Sequence, residues 1–240
     1  MAANDKVYEL LEIYHSEAKS VHAGTGVPLF LMFAGKLKFM LLIGKNDIKA
    51  KKLLSDRQAE LRYNNWIKND YGEKYKSGDW SEGIFFTIDG IRFMSMGIGL
   101  SSRGLRDEDQ RPDYILVDDV DNKKHVNNDC LMHEGVDWIF EDLIGCCNET
   151  DGSVKRFVFA NNNSHRNSIT QRLKDKFREQ AEKSRVEGKN PVHHALTIKA
   201  VTDLNTFTPE CSEKTSEAYW RHKYAFTPTR SFMRYMHVHI

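Results

Sequence analysis

Short apolar runs of strand length, separated by segments with helical spacing, constrain the fold of this chain more than any other feature. The central runs are Leu37–Ile43, Tyr114–Val117 and Phe157–Ala160. Runs of this length and apolar content are typical of strands buried on both faces of a parallel sheet. Two further segments, Val7–Tyr14 and His193–Val201, have strand character as well.

Helices are predicted between these strands from capping residues and from the spacing of apolar side chains. The helical segments are Ser20–Phe33, with a kink or a late break at Pro28, then 46–63, 136–144 and Ser168–Glu187. Buried strands that alternate with amphipathic helices predict an α/β fold, with a mostly parallel central sheet flanked by helices.

A β-hairpin insertion is predicted in the middle of the chain. Asp89-Gly90 separates the two strand-like runs Ile84–Ile88 and Ile91–Met96, and Asp-Gly between such runs favours a tight hairpin turn. A loop rich in glycine and charge, Gly97–Arg111, follows the hairpin.

Composition narrows the class of protein. The 240 residues include 40% hydrophobic and 29% charged residues, and the formal net charge is +1. The hydrophobic content excludes a disordered chain. The near-zero net charge excludes a positive electrostatic field over the whole protein, so any contact with DNA must come from a local basic patch. No apolar run is long enough for a transmembrane helix, and the four cysteines lack CxxC spacing, which favours reduced thiols.

The first strand is followed by residues that suit phosphate binding. Ligands of open parallel sheets bind at the carboxyl ends of the strands. Lys19 and Ser20 lie at such an end and open a predicted helix, which is the context of a P-loop lysine and Mg²⁺-binding hydroxyl. The stretch from Tyr14 to Ser20 lacks the glycines of a P-loop, so a plain helix start with a surface lysine stays open.

The next two buried strands also end in polar residues. Asp118 and Asp119 follow one of them, and such carboxylates can hold Mg²⁺ and orient a water, although they also occur in solvated turns. Asn162 ends the other strand and can sense a γ-phosphate or cap the following helix. Arg103 and Arg106 are candidate phosphate contacts in the glycine-rich loop.

Taken together, these segments resemble the large terminase subunit of tailed bacteriophages. The block Phe93–Asp121 (FMSMGIGLSSRGLRDEDQRPDYILVDDVD) carries the resemblance most strongly, with its RG-x-R motif and its RPDYILVDD stretch. Lys38–Gly44 with the following helix, Phe157–Ser168 and Ala18–His22 resemble the family's second strand, coupling segment and short P-loop variant. The similarity runs from about Val7 to Ile240.

The resemblance implies a P-loop NTPase of the RecA-like (ASCE) class that binds ATP and Mg²⁺. The implied nucleotide-binding residues are His15, Ser16, Glu17, Ala18, Lys19 and Ser20. Ser20 and Asp118 would hold Mg²⁺, and Asp119 would be catalytic where the family more often has glutamate. Asn162 would be the coupling residue and Arg103 an arginine finger. We expect the Lys19 ammonium and the Asp118 carboxylate to lie at adjacent strand ends, close enough for a salt bridge when no nucleotide is bound.

The resemblance also implies partners and a domain plan. The partners would be double-stranded phage DNA, the portal or procapsid, the small terminase subunit and further copies of the chain in a ring, in the cytoplasm of the bacterial host. Residues 1–202 would form the ATPase domain. Residues 203–240 would form a linker or tail that leads toward a nuclease domain absent from this chain.

Two alternatives remain open from the sequence. The family usually carries Arg-Gly where this chain has His15 and Ser16, so the chain is alternatively a degenerate nucleotide-binding or assembly module without turnover. A second alternative is a metal-dependent nuclease that uses Asp118, Asp119 and Asp121.

Overall fold

The computed structural model describes residues 6–14, 18–100, 110–121, 128–147, 153–163, 165–203 and 205–226. The strands in this part of the chain are β1 (Lys6–Ile13), β2 (Phe39–Gly44), β3 (Trp80–Ser81), β4 (Ile84–Phe86), β5 (Arg92–Gly97), β6 (Tyr114–Asp118), β7 (Lys155–Asn161), β8 (His193–Ile198), β9 (Val201–Asp203) and β10 (Thr208–Pro209). The α-helices there are α1 (Lys19–Val21), α2 (Val27–Phe33), α3 (Asp47–Tyr63), α4 (Asn65–Tyr71), α5 (Asp129–Asp137), α6 (Ile169–Val186) and α7 (Glu217–Phe226).

The main sheet has the strand order β3-β4-β5-β2-β6-β7-β1-β8. All neighbouring strands from β5 to β8 in this order pair parallel, whereas the pairs β3–β4 and β4–β5 at one edge are antiparallel. The prediction of an α/β fold with a mostly parallel central sheet is therefore confirmed. Strand β7 lies between β1 and β6, which places three polar strand ends side by side at one edge of the sheet.

Helices cover both faces of the sheet, because successive side chains of a strand point to opposite faces. Ile115 and Val117 of β6 join a core cluster with α5 and α6 on one face. Leu116 of the same strand joins a second cluster with α2 and α3 on the other face. Every described residue of β2, β6 and β7 is buried, as the apolar runs indicated.

The hairpin is present, but it is not separate from the sheet. Strands β4 and β5 pair antiparallel around Gly90, which adopts φ 77°, a conformation that favours glycine. Strand β5 also pairs parallel with β2 through the register Phe93↔Met40. The hairpin therefore extends the main sheet, and its second strand is a full member of it.

The helical run after β1 continues through Pro28. It comprises α1, a π-helical segment (His22–Gly26) and α2, with helical backbone angles at every junction. Pro28 occupies the first turn of α2, where a missing N–H is tolerated. The predicted break at Pro28 is wrong, and the irregularity lies before the proline, in the π-helical segment.

The C-terminal part differs from the predicted strand His193–Val201. Strand β8 ends at Ile198, and β9 begins a separate two-stranded sheet with β10. Trp220 of α7 packs edge-on against Tyr14, with ring centroids 6.1 Å apart. The predicted domain boundary between residues 202 and 203 falls within β9 and stays a prediction.

Candidate functional site

The centre of the candidate site is the helix start that follows β1. Ala18 precedes α1 with a left-handed backbone (φ 50°), and its carbonyl accepts hydrogen bonds from the N–H groups of Val21 and His22. A left-handed alanine is uncommon, and such backbone strain clusters at functional sites. The turn leaves Lys19 largely buried at the carboxyl edge of the sheet, with 9% of its surface exposed.

Asp118 at the end of β6 meets this helix start. Tyr114 and Leu116 of the same strand face α2 and α3, and alternation places Asp118 on that face as well. The Ser20 hydroxyl and the positive charge of Lys19 both lie close enough to the Asp118 carboxylate to lower its pKa. The structure thus brings together the three residues that the sequence assigned to phosphate and Mg²⁺ binding.

Opposing effects act on the ionisation of Asp118. Burial raises the pKa of its carboxyl group, whereas the Ser20 hydroxyl and the charges of Lys19 and Arg57 lower that pKa, and the charge of Asp119 raises it. The Lys19–Asp118 attraction is not a direct contact, because no ion pair of the described residues joins them. The expected salt bridge is therefore absent between these two described residues. The strand ends are not adjacent either, because β7 lies between β1 and β6.

Two buried oxygen atoms at this edge fit a hard cation. Asp118 Oδ1 and Asn162 Oδ1 have no hydrogen-bond partner within the residues that the structure describes. Mg²⁺ takes oxygen ligands and is usually held by one or two carboxylates together with waters and substrate phosphates. The described residues contain no group of three or more His, Cys, Asp or Glu side chains that could hold a metal alone. The donor set suits Mg²⁺ carried by a nucleotide, not a closed protein-only site.

Asp119 differs from its neighbour in both exposure and backbone. Its side chain is exposed, and its backbone is left-handed with φ 50°. Its N–H donates to the carbonyl of Ala160 on β7 at 3.1 Å. Asp119 therefore presents a solvent-accessible carboxylate directly beside the buried Asp118.

Asp121 has a different role from the two aspartates before it. Its carboxylate accepts hydrogen bonds from the Ile169 N–H (2.9 Å) and the Thr170 hydroxyl (2.5 Å) at the start of α6. Burial raises the pKa of this carboxyl group, and these hydrogen bonds oppose the rise. The carboxylate anchors a helix N-terminus, which does not support the use of Asp121 as a nuclease metal ligand.

Of the three asparagines at the end of β7 and directly after it, Asn163 connects to α6. The side chain of Asn161 accepts from the N–H of Asn162 at 2.8 Å, while Asn163 accepts from the Ser168 hydroxyl at 2.8 Å. Ser168, not Asn162, caps α6 by accepting from the N–H of Gln171. The alternative interpretation of Asn162 as the cap of this helix is therefore wrong.

Several predicted site residues lie outside the described part of the chain. These are His15, Ser16, Glu17, Arg103 and Arg106. Their assignments stay predictions.

Sequence reasoning missed a buried ion pair beside the site. Glu12 of β1 is fully buried, forms an ion pair with Lys174 of α6, and accepts a hydrogen bond from the Thr197 hydroxyl of β8 at 2.6 Å. A glutamate inside a predicted buried strand was the available signal. The pair ties β1, directly before the candidate phosphate loop, to α6.

Sequence reasoning also missed Arg57, a residue of α3 that contacts the helix start. Arg57 lies three residues after Leu54 and four before Leu61, both buried residues of α3. This spacing places it on the same buried helix face, which was the signal available in the sequence. Its Nη2 group donates to the carbonyl of Ser20 at 3.3 Å.

A cleft of about 310 Å³ opens on the opposite face of the sheet. Lys45, Val120, Glu134 and Trp138 are among its lining residues. Lys19, Ser20 and Asp118 do not line it, so the cleft and the candidate site are separate features.

No protein-family model matches this chain, and no curated protein matches it. In the part of the chain that the structure describes, no helix combines the length and apolar character needed to cross a bilayer. Lys19, Ser20, Asp118 and Asn162 are therefore the residues from which a function can be inferred.

Proposed function

We propose that this chain is a P-loop ATPase domain of the RecA-like class, and that it powers the packaging of phage DNA as part of a terminase large subunit. One observation carries the proposal: Lys19 and Ser20 at a helix start meet Asp118 at a strand end. A mostly parallel sheet flanked by helices is compatible with this class of fold. The packaging role and its partners come from the resemblance of the block Phe93–Asp121.

Each residue has a separate task in the proposed hydrolysis. The Lys19 ammonium would bind the β- and γ-phosphates of ATP, and the Ser20 hydroxyl and Asp118 carboxylate would hold Mg²⁺. Mg²⁺ supplies charge neutralisation at the phosphates when it is bound. The exposed Asp119 carboxylate would orient the attacking water, and Asn162 would contact the γ-phosphate and report its loss.

The proposal also has an assembly component. Arg103 would reach the nucleotide of a neighbouring subunit in a ring, and a finger supplied in this way raises turnover by about 10³-fold or more. The ring would act on double-stranded DNA with the portal and the small subunit, in the cytoplasm of the infected bacterium. The near-neutral net charge of +1 requires a local contact surface for that DNA.

The experiment measures ATP binding by calorimetry with Mg²⁺ and then phosphate release, on the full 240-residue chain. We expect Lys19→Ala to weaken ATP binding, while Lys49→Ala, which removes an exposed lysine of α3, leaves it unchanged. Binding with turnover supports the proposal. Binding without turnover, even at high protein concentration, would favour the degenerate module, and no binding would overturn both.

A further inference from the structure

Pro28 removes one backbone N–H donor from the helix after β1, at the point where the π-helical segment ends and α2 begins. A proline has no N–H, so it cannot donate to Gly24 in an α-helical turn or to Ala23 in a π-helical turn. The N–H of the preceding residue, Val27, donates to the His22 carbonyl, as a π-helical turn requires. Neither Ala23 nor Gly24 can therefore accept a hydrogen bond from residue 28.

Two buried side chains supply these donors. The Tyr114 hydroxyl of β6 donates to the Ala23 carbonyl at 2.6 Å. The Nε of Arg57, on α3, donates to the Gly24 carbonyl at 2.6 Å. Buried carbonyls that lack a partner are costly, so these two bonds compensate for the missing proline donor.

Arg57 also reaches back to the residue that carries the proposed Mg²⁺-binding hydroxyl. Its Nη2 lies 3.3 Å from the Ser20 carbonyl, and its Nη1 donates to the Leu53 carbonyl of its own helix. Only 1% of Arg57 is exposed, and its charge attracts Asp118. The Arg57 guanidinium group therefore donates hydrogen bonds to the carbonyls of both Ser20 and Gly24, which lie one helical turn apart.

Gly24 provides the space for this contact. A Cβ at position 24 would lie 1.8 Å from Arg57 Nη2 and 3.1 Å from a methyl carbon of Leu116. At Gly26, only two residues further on, a Cβ would meet nothing nearer than the Val21 carbonyl at 3.8 Å. The glycine requirement is therefore specific to the position that faces Arg57.

We propose that Arg57 is a positioning residue, which fixes the helix start so that Lys19 and Ser20 face Asp118. The purpose of this positioning rests on the proposed nucleotide function, but the positioning itself can be measured without nucleotide. Arg57 does not bind the phosphates, because it is only 1% exposed and three of its five N–H groups donate to the carbonyls of Gly24, Leu53 and Ser20. Its fork of N–H groups suits several carbonyls at once, which a lysine cannot match.

The first experiment follows hydrogen exchange of the backbone amides between residues 19 and 26, without nucleotide. We expect faster exchange in Arg57→Met and in Gly24→Ala than in wild type, and wild-type exchange in the control Gly26→Ala. Arg57→Lys should give an intermediate rate, because it restores the charge and part of the hydrogen bonding. Unchanged exchange in both Arg57→Met and Gly24→Ala would overturn the proposal.

The second experiment measures the Kd with which each protein variant binds Mg²⁺–ATP, at a temperature where that variant is folded. Misplacement of the helix start should raise this Kd by about 10- to 100-fold in Arg57→Met and Gly24→Ala. Leu61→Ala, which removes a buried side chain near the C-terminal end of α3, is the matched control for stability and should keep the wild-type Kd.

The two experiments separate the failure of this inference from the failure of the proposed function. If wild type binds no ATP, the function fails, and the exchange data still decide the role of Arg57. If wild type binds ATP and Arg57→Met binds it equally well, the positioning role is wrong. If Arg57→Met does not fold, the comparison of Gly24→Ala with Gly26→Ala decides between the outcomes.

Discussion

The Ser20 side chain lies beside the Asp118 carboxylate and lowers its pKa. This proximity brings the first turn of the helix that follows β1 to the end of β6, although β7 lies between β1 and β6 in the sheet. Both groups are oxygen ligands of the kind that Mg²⁺ prefers. The contact defines where a nucleotide-bound cation would lie.

Asp118→Asn tests this contact directly. Asparagine keeps the shape of the side chain but removes the negative charge, so Mg²⁺-dependent ATP binding should weaken by at least about 10-fold. Calorimetry with and without Mg²⁺ measures the effect, and circular dichroism confirms folding. An unchanged Mg²⁺ dependence in the folded variant would remove Asp118 from the cation site.

Asp119→Asn should keep ATP binding and lose hydrolysis. Its carboxylate is exposed and is assigned to the attacking water, not to the bound nucleotide, so kcat should fall by about 10²- to 10⁴-fold. Phosphate release measures kcat, and the Kd for ATP is the control. Turnover at the wild-type rate would show that another group orients the water.

Mixing Asp119→Asn with Arg103→Ala protein tests the arginine finger. Each variant supplies the residue that the other lacks, so mixed rings should regain activity at some subunit interfaces. Arg103 lies outside the described residues, and its role is a prediction from the resemblance alone. Absence of recovery, together with a lower melting temperature of Arg103→Ala, would indicate a structural role instead.

Gly97→Ala should destabilise the fold by about 1–3 kcal/mol because of overpacking. A Cβ at the end of β5 would lie 2.8 Å from the backbone nitrogen of Asp47 and 3.1 Å from the carbonyl carbon of Asn46. These backbone atoms at the start of α3 cannot rotate away as a side chain could. Urea unfolding measures the loss. Gly145→Ala is the control, because its nearest atom would be the Phe140 carbonyl oxygen at 4.0 Å; equal losses would contradict the explanation.

Lys174→Met should cost about 3–5 kcal/mol of unfolding free energy, because it leaves the buried Glu12 carboxylate without its counter-charge. The double variant Glu12→Gln with Lys174→Met should lose less, since no unpaired charge remains. Glu187→Gln breaks an exposed ion pair with Lys189 and should change stability little. If Lys174→Met loses no more than this control, the Glu12 pair does not stabilise the fold.

Asp113 should make the stability of the chain depend on pH. Its carboxylate accepts hydrogen bonds from the N–H groups of Lys38 and Phe39, at 3.0 Å and 2.9 Å, and burial raises its pKa. A raised folded-state pKa means that the folded state binds more protons than the unfolded state above pH of about 3.9. The contribution of Asp113 to stability is therefore full at low pH and falls as pH rises through the folded pKa.

The measurement compares wild type with Asp113→Asn by urea unfolding at several pH values between 4 and 7. The advantage of wild type over the variant should shrink as the pH rises, because asparagine does not titrate. A difference that stays constant or grows over this range would contradict the raised pKa.

Local features of the sequence were enough for most of the sheet. The apolar runs around Leu41, Leu116 and Val158 predicted β2, β6 and β7, because strands buried on both faces must be apolar throughout. Asp89-Gly90 predicted the hairpin, since its turn needs a positive φ that glycine adopts readily. The short helix α4 and the small sheet of β9 and β10 were missed, because segments of this length have too little periodicity to recognise.

The sequence by itself therefore determined the class of fold and the polar residues at the strand ends, because periodicity and turn chemistry are local properties. Only the tertiary structure decided that β7 lies between β1 and β6, so that Ser20 meets Asp118 with Asn162 at the same edge of the sheet. Strand order depends on long-range packing, which no local pattern encodes. The same reason applies to Arg57 and the π-helical turn: Pro28 predicted a disturbed helix, but only packing against α3 supplied the donor that keeps the helix continuous.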